Sequence, residues 1–510
     1  MNIRDMVSDS CDYLSEVLGT NIDRDSNIFE CGANSIIAIK WVSYIWKKYK
    51  LKVDYNLLFD FNTVEAVISE LVKSNDSGID STETLENISK DNQAQRAPLS
   101  SPQKGIWMYD LMHTESKFVL AAYTLIEGPL SISKMVSAIE AVVEDNDIFR
   151  IKFRTDSKGN TYQKIDNEAS TKERIRVINV SSISEASVEA ERLCNVKWDI
   201  ESELPFVILI ASVNETLHCL YYIIHHIVAD EETFEIVNRQ VINRYFDDNS
   251  ADRPRSSYLK YCGESSSVDN GEIIKYWNGQ LTKDKLNDYS CLSFSNERSE
   301  LEFAVSTSII KKLVKYAAEE KTSLYSAFLC VVLVALYLQS GRRKFFISTA
   351  ISDRLNYCEY VDTCGMFVNN VLLELDVNYK KTFTEIMAIV KEKVSSAKKH
   401  SRLAIDDLIA QSSQIDKTYL RMQNDIVFNF IDFERKNLCR DGLTIHPMKY
   451  MVNPENRLNI YIQNIGGSYI CNLDSITDEM SLDDLEEIRD TVCRILESNL
   501  FESNTEIINY

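Results

Sequence analysis

Apolar residues Ile3, Met6, Val7, Cys11, Leu14, Val17 and Leu18 recur at the spacing of one helix face, and Gly19 follows as a stop. A polar loop over 20–26 precedes a second periodic stretch in which Ser35 stands at the helix start. Runs at 53–61 and 63–72, the latter with Thr63 as N-cap, complete a four-helix unit over residues 1–73. Residues 74–97 are almost all Ser, Asp, Asn, Glu, Gln and Thr, a composition that cannot bury a core and reads as a tether. From 98 onward strand and helix periods alternate. A strand at 119–126 is followed by a helix at 132–144, and a Tyr- and Ile-rich run over 217–228 is followed by a helix carrying Phe234, Val237, Val241 and Tyr245 on one face. The all-apolar run 327–338 predicts a buried helix starting near Thr322 and closing at Gly341, and the chain ends on a strand at 458–462 and a helix at 482–496.

A chain of 510 residues exceeds what one core organises, so two or three domains are expected. The net charge of −21 argues against a nucleic-acid partner, whose phosphates would require clustered Lys and Arg. The short basic runs 47–50 and 342–344 read as solvated element ends. The run 327–338 falls short of the roughly 20 residues a membrane span needs, so no membrane partner is expected. No basic region followed by an apolar one opens the chain, and the twelve cysteines include no Cys-x-x-Cys pair. Free thiols, no metal site and a cytoplasmic location are the expectation.

Only six histidines occur, and two adjoin at His225-His226, where the apolar run meets Asp230-Glu231-Glu232-Thr233, a helix-start signature. A rigid strand-to-helix junction suits a general base or a group that orients an amine. Asp230 reads either as a helix N-cap or as a partner that orients the imidazole. Ser35 by itself reads as an N-cap, but Gly32 and Ala33 beside it leave a helix N-terminus open to a phosphate-bearing group.

These residues carry a resemblance. His225-His226-Ile227-Val228-Ala229-Asp230 resembles the HHxxxDG signature of nonribosomal peptide synthetase condensation domains, with Glu231 in place of the glycine. Pro98-Leu99-Ser100-Ser101-Pro102-Gln103-Lys104-Gly105-Ile106-Trp107 is similar to their opening SxAQxR(L/M)W motif, with departures at Lys104 and Gly105. Asn146-Asp147-Ile148-Phe149-Arg150 resembles HExLR, and Ser352-Asp353-Arg354 with Gly365-Met366-Phe367-Val368-Asn369 resembles the later GR and GxFVN motifs. Phe29-Glu30-Cys31-Gly32-Ala33-Asn34-Ser35-Ile36 resembles the attachment motif of peptidyl carrier domains.

The resemblance implies a four-helix carrier bundle (1–73), a linker (74–97), and an α+β condensation domain of two chloramphenicol-acetyltransferase-like lobes (98–269 and 270–510). It implies 4'-phosphopantetheine on Ser35, installed by a phosphopantetheinyl transferase. It also implies a donor delivered with an upstream adenylation or other module, and an acceptor amine that is free or on a downstream carrier. His226 would act as base or amine-positioning group with His225 beside it, and Asp230 would pair with Arg150. Epimerisation, ester formation with a hydroxyl acceptor, and a non-catalytic recruitment role are the alternatives. Glu231 would either crowd the donor entrance or point to solvent.

Overall fold

The computed structural model describes residues 3–28, 31, 33, 37, 41, 44–45, 48–49, 51, 61, 63–76, 96–113, 118–156, 160–247, 256–282, 299–377, 381–423, 425–451, 456–476, 480–498 and 507. In the N-terminal unit the helix Ile3–Leu18 ends at Gly19, whose φ of +64° is the left-handed stop its sequence signalled. The helix Val64–Asp76 follows Thr63, whose hydroxyl accepts from the Ala66 amide at 3.4 Å. Met6, Leu14, Trp41, Ile45, Val67 and Leu71 are buried in a small core of their own. The run 53–61 and Ser35 lie outside the described residues, apart from Phe61.

The remainder has two lobes, each with its own apolar core. In chain order the first supplies β1 (Arg96–Pro98), β2 (Val119–Glu127), β3 (Ile151–Thr155), β4 (Thr161–Ile165), β5 (Ile175–Asn179), β6 (Phe206–Asn214) and β7 (Leu217–His225). The second half supplies β8 (Ser299–Val305), β9 (Lys344–Ser352), β10 (Val368–Asp376), β11 (Ile426–Arg435), β12 (Leu438–Arg440), β13 (Leu443–Ile445), β14 (Lys449–Met451), β15 (Leu458–Ile465) and β16 (Ser468–Ser475). The first lobe's large sheet runs β12-β13-β2-β7-β6-β5 with β14 also on β2, and the second lobe's runs β10-β9-β11-β15-β16-β8.

Strand β7 lies between β2 and β6 and is buried on both faces, which accounts for its unbroken run of Cys, Leu, Tyr and Ile. Successive residues face opposite ways: the Tyr221 hydroxyl bonds Ser187 on the helix Ile183–Cys194 at 3.0 Å, while the Tyr222 hydroxyl donates to Asn238 on the helix Glu231–Tyr245 at 3.0 Å. In the second lobe the helix Leu324–Ser340 is buried over most of its length and ends at Gly341, φ +66°. Among the described residues no single helix is long and apolar enough to cross a membrane.

Two findings change the expected boundaries. Arg96 and Ala97, read as the end of the linker, belong with Pro98 to β1, paired with β4, because Arg96 finds Lys164 and Pro98 finds Tyr162 in register. A single division at 269/270 also misses two crossings. The segment 353–367 buries Tyr360, Met366 and Phe367 in the first core, and 443–451 adds β13 and β14 to β2, with Ile445 opposite Ile126 and Tyr450 opposite Ala122. Second-lobe chain thus completes the first lobe beside the end of β7.

Candidate active site at the end of strand β7

Strand β7 ends at His225, opposite Val119, and the His226 amide extends the pairing by donating to Phe118 O at 2.6 Å. The two histidines then diverge. His225 is buried; its Nδ1 accepts from the Ile227 amide at 3.2 Å, so the ring proton sits on Nε2, which meets Asp110 Oδ2 at 2.9 Å. Both ring nitrogens are consumed within the fold, and His225, expected among the catalytic residues, holds the strand end in place.

His226 is half-buried, and its Nδ1 lies 2.6 Å from Ala229 O. A carbonyl only accepts, so Nδ1 carries the proton and Nε2 the lone pair. Among the described residues nothing is bonded to Nε2. Burial pushes the imidazole below its ordinary value, against the opposing pull of the Ala229 carbonyl and Asp230, so the neutral form prevails at neutral pH.

The loop between these histidines and the next helix is clamped. Gln103, fully buried on the helix Ser101–Met112, donates from Nε2 to Ile227 O at 2.7 Å and accepts the Ser100 amide at Oε1, 2.9 Å. That placement explains why the opening motif contains a glutamine.

Asp230 is the N-cap of the helix Glu231–Tyr245 and has no exposure. Its Oδ1 accepts from the Thr233 amide at 3.0 Å and hydroxyl at 2.8 Å; its Oδ2 accepts from Arg354 Nη1 at 2.6 Å and the Phe367 amide at 3.0 Å. Neither oxygen is turned to an imidazole.

The expected Asp230–Arg150 pair does not form. Arg150 instead bonds Asn167 at 3.0 Å and Asp147 at 3.5 Å, at the far end of the short 3₁₀ turn Asp147–Arg150. The cation comes from the crossing segment: Arg354, 1% exposed, also donates to Glu232 at 3.2 Å, Thr233 Oγ1 at 3.0 Å, Thr363 O at 3.1 Å and Gly365 O at 3.2 Å, with its guanidinium 4.3 Å from the Phe367 ring centroid. The sequence had marked Arg354 as part of a motif without giving it a partner. Gly365 belongs to this arrangement because a Cβ there would lie 2.1 Å from Tyr258 Cδ2.

Glu231 does not point freely to solvent. Tyr461 donates to its Oε1, Arg435 Nη2 approaches to 3.3 Å, and burial raises its carboxyl to about 7 against the pull of that guanidinium.

A buried junction with one available imidazole, fastened by a cation from the other half of the chain, defines a two-lobed acyl-transfer domain. The chain belongs to the condensation-domain family, whose model matches residues 93–507 and whose members are acyltransferases forming amide bonds in nonribosomal peptide synthesis. Residues 11–71 match the phosphopantetheine attachment site, so the prosthetic group of this unit is 4'-phosphopantetheine. The chain is 22% identical to cyclosporin synthetase of Tolypocladium inflatum over 79% of its own length and 3% of that protein. It is 23% identical to bacitracin synthase 3 of Bacillus licheniformis over 83% of its length and 7% of the relative. It therefore spans only a small fraction of either relative. The condensation domain of the monacolin K polyketide synthase MokA superposes with a TM-score of 0.66 at 15% identity, covering 81% of this chain and 99% of that one.

Proposed function

We propose that the chain carries an acyl or peptidyl donor on Ser35 and condenses it with an acceptor amine at His226. The observation that carries this reading is the tautomer of His226. With Nδ1–H committed to Ala229 O, Nε2 offers a fixed lone pair to an amine N–H. Ser35 would hold the phosphopantetheine, whose thiol would present the donor as a thioester and be released as the free thiol when the amide C–N bond replaces the C–S bond. An α-ammonium titrates near pH 8, so a neighbouring neutral imidazole both orients the amine and takes its proton. Asp230 and Arg354 act on this chemistry only by fixing the loop. His225 fixes the strand end from the other side.

On either side of Ser35 in the sequence, Ala33 is buried in the carrier core and Ile37 is helical. This reading calls for three partners: a phosphopantetheinyl transferase to load Ser35, a synthetase module to supply the donor, and a carrier or free amine as acceptor. Ser35→Ala should abolish the mass increase on incubation with coenzyme A and a phosphopantetheinyl transferase. His226→Ala should load normally and form no amide. Normal amide formation by the His226 variant would refute the assignment.

A further inference from the structure

Resting on the reading of His226 above, we propose that Glu231 is a positioning residue, fastening the helix junction behind His226 to the second lobe through Arg435 and Tyr461. A glycine, the residue of the signature at this position, could make none of these side-chain contacts.

The geometry is specific. Glu231 opens the helix that Asp230 caps, in the turn immediately after the His226 loop. Its Oε1 meets Tyr461 of β15 and Arg435 of β11, two strands paired in the second lobe, and its carbonyl accepts from the Tyr450 hydroxyl of β14 at 3.2 Å. Arg435 is not a surface cation. Its side chain is 3% exposed, and it reaches Gln463 at 2.9 Å and Glu235, one helical turn beyond Glu231, at 2.9 Å. Its guanidinium lies 4.9 Å from the Tyr450 ring centroid.

The first turn of this helix is therefore gripped on two sides. Arg354 and the crossing segment hold Asp230 and Glu232, while β11, β14 and β15 hold Glu231 and Glu235. Removing only the second grip frees the turn to tilt about the first. The His226 ring would move with it, because its Nδ1 is tied to Ala229 within the same loop. The carboxylate here is thus a means of fixing the relation of the two lobes at the reacting end of β7.

The test uses the full-length holo-protein and two readouts. Hydrogen exchange over residues 226–234 needs no substrate; Glu231→Gly should speed it by about ten-fold, a loss expected for coupled neighbours. Glu231→Gln, which keeps an acceptor for Tyr461 and Arg435, should not. Arg435→Gln, which also loses the Glu235 contact, should have an effect at least as large, and the Glu231→Gly/Arg435→Gln pair should fall short of the sum of the two. Amide formation from an octanoyl donor on the carrier with leucine N-acetylcysteamine thioester should fall about ten-fold in kcat for Glu231→Gly, with KM nearly unchanged, and recover in Glu231→Gln. Unchanged exchange in Glu231→Gly, additive effects in the double variant, or faster amide formation in the glycine variant would overturn the clamp. If His226→Ala retains activity while the exchange pattern is as described, the catalytic reading fails and the clamp stands.

Discussion

Replacing Arg354 by methionine keeps most of its volume and removes its charge, which isolates what the guanidinium does for Asp230. In the intact protein Asp230 is 0% exposed, and its Oδ2 rests against a guanidinium that is itself 1% exposed. Removing one partner of such a pair strands a buried carboxylate, at a cost of about 3–5 kcal/mol. Asp230 keeps its bonds from Thr233 and the Phe367 amide, so the lower part of that range is expected. Arg150→Met is the control. Its ion pair with Asp147 is solvent-accessible on both sides, 24% and 23%, and pairs of that kind contribute about 0–1 kcal/mol. The thermal midpoint of the condensation domain should fall by about 3–4 °C for Arg354→Met and hardly move for Arg150→Met. Amide formation at a fixed loaded fraction should drop with Arg354→Met, because the turn that follows His226 loses its anchor in the crossing segment. If Arg150→Met proves the more damaging, or Arg354→Met retains wild-type activity and stability, the anchoring argument is wrong.

Further outcomes follow from the same geometry. Because burial lowers the His226 value and the neutral ring is the competent form, amide formation should rise with pH along a limb whose midpoint lies below the ordinary imidazole value of about 6.5; a midpoint at or above it would contradict the burial argument. Gly365→Ala should yield little folded protein, since its Cβ would fall 2.1 Å from a Tyr258 ring carbon that is itself packed against Phe367; recovery of normal soluble protein would count against that packing. Glu231 is raised from 4.5 to about 7, so the stability it contributes is complete below its unfolded value and is lost as pH rises through 7, by up to about 3 kcal/mol before solvent screening. Thermal midpoints at pH 5 and pH 8 check this: Glu231→Gln should gain on the parent at pH 8, and equal differences at the two pH values would refute it.

The sequence made legible whatever a short window controls. The helices ending at Gly19 and Gly341, the capped helix after Asp230 and the buried β7 all follow from period, cap and stop residues within a few positions. The short strands β12, β13 and β14 carry no such signal. Three residues cannot show a period, and β13 and β14 are strands because β2 offers a free edge for them. Likewise Arg96 and Ala97 look like tether until β4 is alongside.

The site divides in the same way. That a buried aspartate must have a cation could be argued from the residue alone, and the opening glutamine and the histidine pair stood out by type. Which arginine answers is a question of topology, because Arg354 lies 124 residues beyond Asp230 and arrives only when the chain crosses back onto the first lobe. The nearer candidate, Arg150, is turned away by the 3₁₀ turn that delivers its side chain to Asp147 and Asn167. The crossing also separates the two histidines in their surroundings. His225, facing Asp110 inside the first lobe, has both nitrogens satisfied without help from the second. His226 stands one residue further along, where the sheet ends and the other half of the chain begins. There its loop is held at Ile227 by Gln103 and at Asp230 by Arg354, and among the described residues the ring between them has no partner at Nε2.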